Sequence, residues 1–280
     1  MCASLRFTLA GGDRRLAYTA KALRDKGCAV RTLAGEKDDD YGETDVLLLP
    51  VPLSRDGQTL HAPRAQTPIA LERLAEITDA ETRVFCGMPG NASALFFRRG
   101  IRLYDYAARE EFALRNAVPT AEGIAQLLLC ALPRTVRGSH ILITGCGRTA
   151  RACARLLYGM GARITIAARR CSALAFADGE GYHGLYLREL DGLMDRFDAV
   201  VNTVPAPVLT ASVLEGMPKR CPIIEIASAP YGVDFEAAKR LGLAVQIAPS
   251  LPGKVAPQTA GIIIAETVLN MLMEGNTCTA

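Results

Sequence analysis

The chain has 280 residues, half of them apolar, with 32 Lys and Arg against 29 Asp and Glu for a formal net charge of +3. That length allows roughly two ordinary domains, each with a substantial core. The small positive excess is scattered rather than striped and has no aromatic platform, which argues against nucleic acid. No apolar run suits a signal peptide or a membrane span.

The nine cysteines form no Cys-x-x-Cys pair and no ligand spacing with the three histidines. No metal site is expected, and the thiols read as small hydrophobes of a reducing cytoplasm. Arginine outnumbers lysine heavily, which suits recognition of small anions.

In chain order, Leu5 to Ala10 reads as a short strand running into Gly11-Gly12-Asp13. That turn lacks the third position of a dinucleotide fingerprint and is read as a plain strand-to-helix turn. A helix follows to Lys26, with Gly27 as its stop signal. Cys28 to Leu33 is a second strand, and the acidic run Glu36 to Asp40 a solvated loop. Asp45 to Pro50 is a continuous apolar strand, as expected when helices cover both faces. Ile69 to Ile77 is helical, and Arg83 to Gly87 and Ile101 to Tyr104 are strands. Pro119-Thr120-Ala121-Glu122, with Thr120 as candidate N-cap, opens a connector helix to about Leu132.

The second series is clearer. Ile141 to Thr144 is a strand, Arg148 to Met160 a helix closed by Gly161, and Arg163 to Ala167 the next strand. Asp198 to Thr203, Pro222 to Ile226 and Ala244 to Ile247 are further strands, with a helix from Asp234 to Leu241. Pro257 to Glu274 is a long apolar helix that returns to the first domain. Alternation of this kind implies two doubly wound parallel-sheet α/β domains. Residues 1–118 with the C-terminal helix 257–280 form a flavodoxin- or Rossmann-like domain assigned to substrate. Residues 119–256 form a Rossmann domain assigned to NADP.

Gly145-Cys146-Gly147-Arg148-Thr149-Ala150 matches Gly-x-Gly-x-x-Gly/Ala directly after a strand and at a helix start. Gly145 permits the tight turn, Gly147 admits the pyrophosphate, and Ala150 lets helix and strand pack closely. Where NAD enzymes place Asp or Glu at the end of the second strand, this chain has Ala168-Arg169-Arg170-Cys171-Ser172. Two guanidinium groups and a hydroxyl suit a 2′-phosphate, so NADP(H) is the expected cofactor. The cofactor-binding candidates are Gly145, Gly147, Arg148, Thr149, Ala168, Arg169 and Ser172. Asn202, Thr203 and Pro205, at the carboxyl end of the fourth strand, join them.

A family resemblance rests on Pro119-Thr120-Ala121-Glu122-Gly123, the Gly145 loop, Gly161-Ala162, Ala168-Arg169, Asn202-Thr203-Val204-Pro205 and the segment Ala248 to Pro257 with Thr259-Ala260-Gly261. In these stretches the chain resembles the A-subunit family of dipicolinate synthase. The resemblance implies an NADP-linked oxidation of a dihydro- or tetrahydrodipicolinate to the aromatic diacid, branching from lysine biosynthesis. It also implies the synthase's flavoprotein-like B-subunit as partner and a place in the mother cell of a sporulating bacterium. Ala229 departs from the family, whose members commonly carry a basic residue before that proline.

A dicarboxylate needs cations or well-placed donors. Lys254, in the Leu251-Pro252-Gly253-Lys254 turn, is the first candidate, followed by Arg109 and Arg55; Ser54, Asn91 and Ser228 are hydrogen-bonding candidates. Glu122, at the connector helix's first turn, is the acid to test as proton acceptor, with helix-dipole stabilisation as the competing role. None of His61, His140 or His183 is persuasive as a base, and His140 reads as structural. Another two-domain NAD(P) dehydrogenase and a non-catalytic nucleotide-binding protein stay open as alternatives. A homo-oligomer is compatible with all three.

Overall fold

The computed structural model describes residues 5–33 and 43–277, so the Glu36 to Asp40 run lies outside the described residues. The chain divides into two compact units, Met1–Asn116 with Ala256–Ala280, and Ala117–Val255.

In the first unit, β1 (Arg6–Ala10) runs into Gly11 and Gly12, both left-handed. Asp13 then caps α1 (Arg14–Asp25), its side chain accepting from Arg15 N at 2.9 Å. Leu16, Thr19, Ala20 and Leu23 are buried, the spacing of a helix with one covered face. There follow β2 (Ala29–Leu33), β3 (Val46–Leu48), α2 (Leu71–Ile77), β4 (Arg83–Cys86), α3 (Ser93–Phe97) and β5 (Leu103–Asp105). The strands pair in parallel in the order β2-β1-β3-β4-β5. This is the flavodoxin-like order, with its reversal between β1 and β3.

Strand alternation feeds two cores. Phe7, Leu9, Val46, Leu48 and Phe85 meet α1 and the C-terminal helix, numbered α10 (Pro257–Thr277). Ala10, Leu47, Leu49, Val84 and Cys86 face the other way, onto Leu71 and Leu74 of α2 and Phe96 of α3.

The helix expected from Thr120 begins ten residues earlier. α4 spans Glu110–Ala131 and carries Pro119 inside it, so Thr120 is not its N-cap. Proline removes one helical N–H and costs about 3 kcal/mol in a helix interior. Burial of Phe112, Ala117, Ala121, Ile124 and Leu128 offsets this, at about 1.5–3 kcal/mol for each large side chain. Glu110 and Glu111 in the first turn suit the positive end of the helix dipole.

The second unit contains β6 (His140–Thr144), α5 (Arg148–Gly159), β7 (Arg163–Ala168), α6 (Cys171–Gly179) and β8 (His183–Tyr186). It continues with β9 (Ala199–Asn202), α7 (Ala211–Glu215), β10 (Ile223–Glu225), α8 (Phe235–Leu241), β11 (Val245–Ile247) and α9 (Leu251–Val255). All strands are parallel, in the order β11-β10-β9-β6-β7-β8. That is the doubly wound Rossmann order, two three-stranded halves meeting between β6 and β9. On α5, Ala150, Cys153, Ala154 and Leu157 form the buried stripe.

α6 and β8 have no counterpart among the elements expected from sequence. β8 reads His-Gly-Leu-Tyr, too mixed to announce a strand. Its Gly184 lets α6 lie close, since a Cβ there would stand 3.2 Å from Leu174 Cα. No helix among the described residues is long and apolar enough to cross a membrane.

Candidate functional site

β6 ends at Thr144, and the chain turns through Gly145 at φ +88°. A Cβ there would stand 2.6 Å from Thr203 Oγ1 and 3.0 Å from Val204 Cγ2, so sterics and backbone both demand glycine. Gly147 differs. As N-cap of α5 it has an ordinary φ of −77°, and a Cβ added to it would meet no protein atom within 4 Å. Nothing within the chain requires glycine at that point, and the open space leaves the first-turn amides of α5 approachable. Those amides carry the positive end of the helix dipole, which favours an anion. Ala150, wholly buried, sets α5 against the sheet.

Beside this turn lies a cavity of about 290 Å³ whose lining includes Gly145, Gly147, Arg151, Arg169, Arg170 and Ser172, with no carboxylate. Ala168, the last residue of β7, is also part of the lining. Arg169 and Arg170 are exposed and carry no ion pair with any described residue. Arg151 is a lining cation that sequence reasoning missed. Its Nε donates to Cys146 O at 3.0 Å, and its guanidinium lies 4.1 Å from the Phe176 ring centroid. The available signal was its spacing of four from Gly147, one helical turn along the same face. Glycine and cations without a carboxylate make a lining that fits an anionic dinucleotide. Arg148 and Thr149 begin α5, and neither is among the residues that line this cavity.

Of the three candidates at the carboxyl end of β9, Asn202 has its side chain turned into the protein. It is wholly buried: its Nδ2 donates to both Glu225 carboxylate oxygens at 2.8 Å and to Val204 O at 3.0 Å. Its Oδ1 accepts from Thr144 Oγ1 and, at 3.2 Å, from Val204 N. Every polar atom of its side chain is thus engaged within the protein. Thr203 is half-buried and donates to Thr144 O at 2.7 Å, while Pro205 is exposed.

The substrate candidates scatter. In the first unit, Arg109 is held at 2.8 Å by both Glu274 and Glu111, and those hydrogen bonds raise its pKa above the ordinary guanidinium value. Two of the five N–H donors of Arg109 are engaged in this way. Ser54 Oγ donates to Asp56 Oδ1 at 2.9 Å within a tight turn, and Arg55 Nε lies 3.4 Å from His61 Nδ1. Asn91 is exposed in a one-turn helix, Gly90–Ala92.

In the second unit, Ser228 is exposed in the loop after β10. Lys254 sits in α9 rather than in an open turn, exposed and without an ion pair to a described residue. Pro252 is tolerated there because a helix's first turn needs no N–H from it. Glu122 is exposed in mid-helix rather than at a first turn, so dipole stabilisation does not apply to it. A Cβ on its neighbour Gly123 would meet Leu251 Cβ at 2.9 Å, which brings α4 and α9 flush at this point. His140 is structural: Nε2 lies 2.8 Å from Thr165 Oγ1, the ring packs edge-on to Phe197, and burial lowers its pKa.

The family profile of the N-terminal domain of the dipicolinate synthase A-subunit matches residues 6–107. The A-subunit of dipicolinate synthase from Bacillus subtilis (strain 168) is 28% identical over 294 residues, covering 98% of each chain. The crystal structure of the corresponding A-subunit from Bacillus halodurans superposes with a TM-score of 0.89 at 26% identity, covering 97% of this chain and 99% of its own. Over nearly its whole length the chain is similar to A-subunits of dipicolinate synthase, and residues 6–107 match the profile of that family's N-terminal domain. The architecture extends beyond dipicolinate synthases. A transhydrogenase from Sinorhizobium meliloti shares the fold with a TM-score of 0.68 at 14% identity, over 89% of this chain and 78% of that one. Within the dipicolinate synthase frame, the Gly145 turn stands at the switch point of the second sheet, outside the matched N-terminal profile.

Proposed function

We propose that the crevice at the carboxyl edge of the second sheet binds NADP(H), and that the protein oxidises a dihydro- or tetrahydrodipicolinate to dipicolinate. The observation that carries the reading is the Gly145–Ala150 turn facing Arg169, Arg170 and Ser172 in a lining free of carboxylate. An acid at the end of β7 would accept from a ribose hydroxyl but repel a 2′-phosphate; a guanidinium grips that phosphate as a fork. The α5 amides hold the pyrophosphate, with Arg148 and Thr149 at its edge, and Thr203 and Pro205 flank the nicotinamide side. When bound, the nicotinamide supplies the hydride acceptor.

Each two-electron step takes a hydride and a proton from the ring, one such step for a dihydro- and two for a tetrahydrodipicolinate, and Glu122 is the proposed proton acceptor. Lys254 pairs with one substrate carboxylate, and Ser228, in the same unit, is the proposed hydrogen-bond donor. The synthase's flavoprotein-like B-subunit is the proposed partner, and the mother cell of a sporulating bacterium the proposed setting. Similarity to the dipicolinate synthase A-subunit supports both.

Titration of NADPH and NADH tests the cofactor half. Arg169→Ala is expected to weaken NADPH by about 1–3 kcal/mol, the scale of a lost charge-assisted bond, and to leave NADH nearly unchanged. Equal losses for both cofactors would refute the 2′-phosphate role.

Steady-state kinetics with a dihydrodipicolinate test the substrate half. Lys254→Met keeps the stem and removes the charge, so kcat/KM should fall at least about tenfold, or about 1.4 kcal/mol. NADPH affinity and melting temperature should hold. Unchanged kinetics would leave Lys254 a surface lysine.

A further inference from the structure

Beneath the loops of the crevice runs a buried polar row. Thr144, Asn202 and Glu225 are the last residues of β6, β9 and β10. Parallel register sets Thr144 beside Asn202 and Asn202 beside Glu225. All three are fully buried.

Asn202 joins the row in both directions, taking the Thr144 hydroxyl on its oxygen and giving its amide hydrogens to the Glu225 carboxylate and to Val204 O. Glu225 then reaches two backbone amides: Oε1 accepts from Ala227 N at 2.8 Å and Oε2 from Gly232 N at 3.0 Å. Gly232 has no room for a side chain, since a Cβ would stand 2.4 Å from Asn202 Nδ2 and 2.6 Å from Val204 O. Between those anchors Tyr231 holds a left-handed backbone at φ +66°, its N–H donating to Ser228 O at 3.0 Å. A non-glycine residue keeps that conformation only where its surroundings over-determine it.

An apolar pair of similar volume would fill this space without desolvating a carboxylate. It could not, however, grip the Ala227 and Gly232 amides or both backbone groups of Val204. The row's distinctive product is therefore the shape of two loops, Thr203–Pro205 and Ala227–Gly232. In a doubly wound sheet the adenine half of a dinucleotide lies over the first three-stranded half, here β6 to β8, and the nicotinamide half over the second. Both loops leave the second half.

We propose that Glu225 is a positioning residue. Through Asn202 and the two backbone amides it locks the loops that receive the nicotinamide half of the cofactor, without touching the ligand. The nicotinamide clause rests on the dinucleotide reading above; the locking of the loops stands on the geometry alone.

Glu225→Gln replaces one acceptor oxygen with an NH2 group that faces an N–H donor. In the ligand-free full chain, hydrogen exchange should accelerate at least about tenfold in the segments containing Thr203–Val204 and Ala227–Gly232. Exchange in Gly145–Ala150 should hold. The NADPH Kd should rise at least about tenfold, while that of adenosine 2′,5′-bisphosphate, which lacks the nicotinamide half, moves less than about twofold.

Thr144→Val, which removes only the hydroxyl donated to Asn202, covers the case of a misfolded first variant. It should shift loop exchange and the NADPH Kd about threefold in the same selective pattern. Unchanged loop exchange overturns the positioning role, and so do parallel losses for NADPH and the bisphosphate. A wild-type chain binding neither ligand overturns the dinucleotide reading and the nicotinamide clause with it; the exchange rates then still decide whether Glu225 holds the loops.

Discussion

Gly261→Ala is expected to destabilise the first unit by about 1–2 kcal/mol, although alanine is the better helix former. Gly261 lies in α10, where a Cβ would stand 2.5 Å from Arg15 O, 2.7 Å from Tyr18 Cβ and 2.9 Å from Thr19 N. Two of these neighbours are backbone atoms of α1 and cannot swing aside. Thr19 Oγ1 also donates to Gly261 O at 3.0 Å, pinning the two helices at their closest approach. Prising them apart would loosen Ile264, Val268 and Leu272 from the core they share with Leu16 and Leu23.

Overpacking costs about 1–3 kcal/mol or somewhat more, while removing glycine from a helix interior returns about 1 kcal/mol. The sign is therefore informative. Thermal or urea unfolding should show a lower midpoint for Gly261→Ala. A raised midpoint would mean that propensity wins and that the helices do not meet there.

Much of this architecture is legible in the sequence because glycine and short apolar runs report local demands. Gly145 and Gly147 sit after Ile141 to Thr144, and that local order is enough to place a turn at a sheet edge. Pro119 misleads for the same local reason. Its preference for a first helical turn is genuine, but burial of Phe112 and Ala117 on the preceding turns outweighs it. Arg109 could not be judged locally, because Glu274 lies 165 residues away and no short pattern encodes the pair. The buried row is hidden likewise, since Asn202 meets Thr144 and Glu225 only through strand register, 58 and 23 residues apart. An isolated Glu at a strand end carries no sign of whether it faces water or three N–H donors.

The two glycines of the turn should separate fold from ligand. For Gly145→Ala, the left-handed φ alone costs about 1–2 kcal/mol. The new methyl, 2.6 Å from Thr203 Oγ1, would also strain the hydroxyl's 2.7 Å bond to Thr144 O. A stability loss of about 2–3 kcal/mol in the second unit is expected, together with a rise in the NADPH Kd of about a hundredfold, or about 2.8 kcal/mol. Gly147→Ala meets no protein atom and needs no unusual backbone, so the melting temperature should stay within a degree or two, as expected for a surface change below about 0.5 kcal/mol. Its methyl nevertheless projects into the space through which a pyrophosphate reaches the α5 amides, so NADPH affinity should still fall at least about tenfold. Calorimetric titration of NADPH beside thermal melts reads both quantities. Should Gly147→Ala bind NADPH as the parent does, the anion does not sit on the α5 N-terminus, and the cofactor site must be sought elsewhere on the sheet.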